Sequence, residues 1–122
     1  MKTLLVYVYA NESTDLTLFR SVIEEKKGMA YVVETREEHL VQALTARHFD
    51  LLILDLDLHK DDYKKAQLMT EMIYPGAAVT ELDLQHKDFI DYKLDQLWKK
   101  WEEAHTDGQT FFHDGTPGLG SL

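Results

Sequence analysis

The sequence predicts an α/β protein, a three-layer αβα sandwich built on a parallel sheet. Strand-like apolar runs alternate strictly with stretches of helical periodicity, the pattern of successive strand–helix–strand units. The run Leu51, Leu52, Ile53, Leu54 is continuously apolar, as a central parallel strand covered on both faces requires. Asp55 and Asp57 follow at once and put carboxylates near that strand's carboxyl end, the edge where open α/β sheets place ligands and chemistry. With 122 residues, 44% of them hydrophobic, the chain fits one domain with a real core and leaves no room for two.

Leu4 to Tyr9, rich in Val, Leu and Tyr, is the first predicted strand. Ser13 or Thr14 caps a helix whose apolar positions are Leu16, Phe19 and Ile23, with Leu18 and Val22 beside them. Gly28 is available for a left-handed cap after it. Ala30 to Val33 is a second short strand. Thr35-Arg36-Glu37-Glu38 has the form of a capping box, followed by a helix carrying Leu40, Val41 and Leu44. Strand three runs from Asp50 to Leu56. Asp61 and Asp62 start a third helix bearing Ala66, Met69 and Ile73, which Pro75-Gly76 stops. Ala77 to Thr80 sits where a fourth strand is due. A longer helix runs from about Lys87 to His105, with Ile90, Leu94, Leu97, Trp98 and Trp101 along one face. Phe111 and Phe112 are candidates for a last strand. The domain is expected to span residues 1–112, with a flexible tail over 113–122.

The chain has no cysteine, which excludes disulfide and thiol chemistry and suits a reducing compartment. The N-terminus lacks the pattern of a signal peptide, and no apolar run approaches the ~20 residues of a membrane span. A cytoplasmic protein with no membrane partner is expected. Net charge is −9, from 22 acidic and 13 basic side chains. Bare nucleic acid is repelled by such a surface, whereas a protein or a metal ion is an easier partner. No glycine-rich phosphate loop follows strand one, and the six histidines show no close metal spacing.

From Ser13 to Thr80 the chain resembles a response-regulator receiver domain, a flavodoxin-like fold. The stretch VVETREEHLVQALTARHFDLLILDLDLH, Val32 to His59, is similar to the family's second strand, second helix and third strand. The resemblance implies that Asp55 stands at the phosphoacceptor position and Thr80 at the phosphate-sensing one. A carboxylate at that place attacks a phosphoryl group, and a magnesium ion offsets the charge. Three departures mark the chain as degenerate. The family's acidic metal-binding pair falls on Ala10 and Asn11. Its lysine has no clear counterpart, since Lys87 comes only seven residues after Thr80. Beyond strand four the pattern is altered, with one long helix where receivers have helix, strand, helix.

The expectation is therefore a pseudo-receiver: a signalling or protein-interaction module that is not an enzyme and works without aspartyl phosphorylation. It would hold no resident cofactor, with Mg2+ as the only candidate ion, and bind another protein or itself as a homodimer. One alternative is a phosphorylatable receiver using Asp55, with a metal site from Glu12, Asp55 and Asp57. Another is a small metal-dependent enzyme on the same acids, since Asp55-Leu56-Asp57 is a DxD pattern used in two-metal chemistry. Trp98 and Trp101 read first as core positions and second as interface anchors.

Overall fold

The computed structural model describes residues 3–106. Its elements are β1 (Leu4–Tyr9), α1 (Thr17–Ile23), β2 (Met29–Glu34), α2 (Glu37–Ala46), β3 (Leu51–Asp55), α3 (Lys60–Ile73), β4 (Val79–Leu82) and α4 (Lys87–Thr106). The four strands pair in parallel in the order β2-β1-β3-β4. This is the expected parallel α/β sandwich, consistent with a flavodoxin-like arrangement.

Strand alternation divides the core into two layers. On the first face, Leu4, Val6 and Val8 of β1 and Leu51 and Ile53 of β3 meet Phe19, Val22 and Ile23 of α1. Ile90, Leu94, Leu97 and Trp101 of α4 complete that layer. On the second face, Tyr7, Tyr9, Leu52 and Leu54 meet Leu40 and Leu44 of α2 and Ala66 of α3. Every residue of β3 is buried, which is why Leu51 to Leu54 are apolar without alternation before the closing Asp55. Each fully buried Leu or Ile contributes about 1.5–3 kcal/mol relative to exposure.

Several element ends differ from expectation, for local reasons. Helix α1 begins at Thr17, beyond Ser13 and Thr14. Asp15 Oδ1 accepts from the Thr17 amide at 3.0 Å and the Thr17 hydroxyl at 2.7 Å, while the Thr14 hydroxyl is engaged elsewhere. Arg36 stands at the N-cap of α2 with no side-chain cap, so the Thr35–Glu38 box is not made; Thr35 lies one residue outside the cap. Helix α3 starts at Lys60, which leaves Asp61 and Asp62 in the first turn, where the helix dipole favours them.

Strand β4 spans Val79–Leu82 rather than Ala77 to Thr80. The Ala77 amide donates to the Tyr74 carbonyl at 3.0 Å and stays in the turn around Pro75-Gly76. Burial of Leu82 and Leu84 then draws the pairing two residues onward. Gly28 adopts the expected left-handed conformation, φ +84°, but it does not cap α1, which ends at Ile23 with Glu24 as a right-handed C-cap; a Cβ at Gly28 would lie 2.5 Å from Trp98 Cη2. The expected strand at Phe111, the domain end at residue 112 and the tail 113–122 lie outside the described residues. Among the described residues, no helix is long and apolar enough to cross a membrane.

Candidate functional site

The sheet order places β1 and β3 side by side while their following helices lie on opposite faces. The crevice outside their carboxyl ends is where doubly wound sheets bind ligands. Tyr9 pairs with Leu54, so Ala10 reaches the level of Asp55. Side chains from both strand ends cross this crevice. Asn11 Nδ2 donates to the Asp57 carbonyl at 2.8 Å, and Thr14 Oγ1 donates to Asp55 Oδ2 at 2.9 Å.

Asp55 closes β3 and is 0% exposed. Its second oxygen, Oδ1, accepts from the Asp57 amide at 3.0 Å and shapes the turn leaving the strand. Burial raises its pKa above the ordinary carboxylate value. The Asp57 amide and the Thr14 hydroxyl oppose that shift, and the charges of Asp57 and Asp83 add to it. Both oxygens of Asp55 are thus used to tie the β1–α1 and β3–α3 loops together.

Asp57 and Glu12 are exposed, and Ala10 is buried. No group of three or more His, Cys, Asp or Glu side chains that could hold a metal ion occurs among the described residues. The structure therefore does not gather Glu12, Asp55 and Asp57 into a ligand set. Thr80 pairs with Ile53, whereas Leu82 is the residue opposite Asp55. Thr80 accordingly stands two residues, about 6.6 Å of strand, toward the amino end from the crevice. Lys87 is exposed at the start of α4.

Trp101 is 4% exposed and belongs to the core between α4 and the sheet. Trp98 is half-buried against the same core, its ring centroid 5.2 Å from that of Trp101. The residues that α4 presents outward are others, among them Phe89 and Tyr92.

Sequence reasoning missed Thr14 and Asp83. Thr14 sits in a turn where any hydroxyl reads as a helix cap, and nothing local indicates a partner 41 residues away. Asp83 follows Leu82 at the end of β4 and accepts from the Gln85 amide at 2.9 Å, with His86 Nδ1 2.6 Å from its other oxygen; these contacts lower its pKa. Its place near Asp55 became visible only with the observed β4 register. No protein-family model, curated protein or solved structure matches the chain.

Proposed function

We propose that this chain is a receiver-like protein-interaction module that works in cytoplasmic signal transduction of the two-component kind without aspartyl phosphorylation, and that it is not an enzyme. The observation that carries this reading is the engagement of Asp55: wholly buried, with one oxygen on Thr14 and the other on the Asp57 amide. A carboxylate that attacks phosphorus must present an oxygen to the incoming group and needs a cation to offset the transferring charge. Asp55 instead organises two loops, which leaves the outer faces of the domain to carry recognition.

NMR with magnesium and beryllofluoride, a phosphoryl mimic, tests the reading. The amides of Thr14, Asp55 and Thr80 are expected to keep their positions at saturating reagent. Specific shifts at Asp55 and Thr80 that vanish in Asp55→Asn would overturn it.

A further inference from the structure

The outer edge of β4 and one side of α4 form a groove of about 620 Å³, of the size that ligand sites occupy. Val79 and Thr80 line it from the strand; Tyr92, Gln96 and Leu97 line it from the helix, together with Lys93, Lys99 and Lys100. Among the described residues, Glu103 is the one acid in the lining. With Lys93 and Lys99 against Glu103, the described lining is net positive in a chain of net charge −9.

Among the described residues, the outer edge of β4 has no partner strand and has hydrogen bonds to offer. The Leu52 amide donates to the Ala78 carbonyl and the Leu56 amide to the Leu82 carbonyl, so residues 78, 80 and 82 turn their main-chain groups toward β3. By the same alternation Val79 and Glu81 direct theirs outward. Such an edge is a template for a further strand.

The topology argues that this strand comes from elsewhere. Helix α1, on the first face, carries the chain from β1 to β2; helix α3, on the opposite face, carries it the other way from β3 to β4. These two moves have the same hand. A parallel strand placed beyond β4 through α4, which lies on the first face, would reverse it, and about 98% of crossovers keep the right hand. A second copy is also disfavoured, because pairing two β4 edges brings the lysine-lined grooves of both copies together.

We propose that the β4–α4 groove takes an extended acidic peptide segment of a partner protein as a fifth strand. The proposal rests on the reading of the chain as an interaction module and names the chemistry of its partner. Main-chain bonds form at Val79 and Glu81. Acidic side chains at alternate positions of the guest face the lysines of α4, and the intervening apolar ones lie beside Val79, on the other face of the sheet.

The test is an NMR titration of the full chain with a blocked peptide of alternating Glu and Val, about eight residues long, as in an ordinary strand. Shifts are expected at Val79, Glu81, Tyr92 and Leu97. Affinity should fall about tenfold or more in Lys93→Glu/Lys99→Glu, and fall again as salt rises past ~0.1 M. The matching Lys–Val peptide, which requires no variant, should not bind. Three results overturn the proposal: no shift at β4 with millimolar peptide, equal binding of the Lys–Val peptide, or concentration-dependent shifts at the same residues without peptide, which would assign the edge to a second copy. Phosphorylation of Asp55 would remove the module reading and leave this titration unaffected, whereas a silent titration with Asp55 unmodified removes the groove alone.

Discussion

The Thr14 hydroxyl donates to Asp55 Oδ2 at 2.9 Å and fastens the loop after β1 to the end of β3. The contact is part-buried and links segments 41 residues apart. Thr14→Val deletes the donor and leaves a buried carboxylate oxygen short of a partner, which costs roughly 1–3 kcal/mol. Thr14→Ser keeps the hydroxyl and should remain close to wild type. Urea unfolding of the two variants separates these outcomes, and equal stability of Thr14→Val and wild type would remove the tie from the account.

The raised pKa of Asp55 fixes the sign of a pH effect. The folded protein holds the Asp55 proton more tightly than the unfolded chain does. Stability from this group is complete below the unfolded carboxylate value of 3.8 and is lost as pH rises through the higher folded value. Asp15 and Asp83 act in the opposite sense, since their pKa values are lowered. Total stability therefore mixes the two, and comparison with Asp55→Asn isolates Asp55. Wild type should gain on the variant between pH 7 and pH 4, read from unfolding free energies at each pH. A wild type that loses ground on acidification would show that Asp55 is stabilised as the charged form.

Gly28→Ala meets two penalties at one position. The φ of +84° is strained for any side chain, and the new methyl would lie against the Trp98 ring. A loss on the order of 2 kcal/mol or more is expected from denaturation followed by tryptophan fluorescence. Trp98→Leu in the same chain should recover the steric part and leave the backbone part, a coupling that a double-mutant cycle measures.

Helix α4 completes the first face rather than hanging from the sheet. Leu94 is 0% exposed, and Leu94→Ala should cost about 2–5 kcal/mol. Leu68, on the outside of α3, is 57% exposed, and Leu68→Ala should stay within ~0.5 kcal/mol. Similar losses in calorimetric melting would deny α4 its place in the core. Lys26, in the turn between α1 and β2, pairs with both Asp91 and Asp95 of α4.

The architecture was legible wherever a single period dominates. The β1 bounds, the wholly buried β3 and the long α4 follow from apolar runs and helical spacing, and the Trp101 position on the apolar stripe already pointed to the core. What was not legible depends on distant partners. Thr14 carries a good cap residue's chemistry, yet Asp55 takes its hydroxyl. The β4 register depends on where Leu82 and Leu84 find burial, which the preceding Pro75-Gly76 turn does not reveal. The face chosen by α4 is a property of the whole sheet, and among the described residues that choice leaves the β4 edge unpaired beside the lysines.

Exposure to acetyl phosphate and magnesium, followed by intact mass spectrometry, tests the central claim most directly. With Asp55 sealed by Thr14 and the Asp57 amide, the mass should remain that of the unmodified chain. A gain of one phosphoryl group that disappears in Asp55→Ala would contradict the account and make this a phosphorylatable receiver.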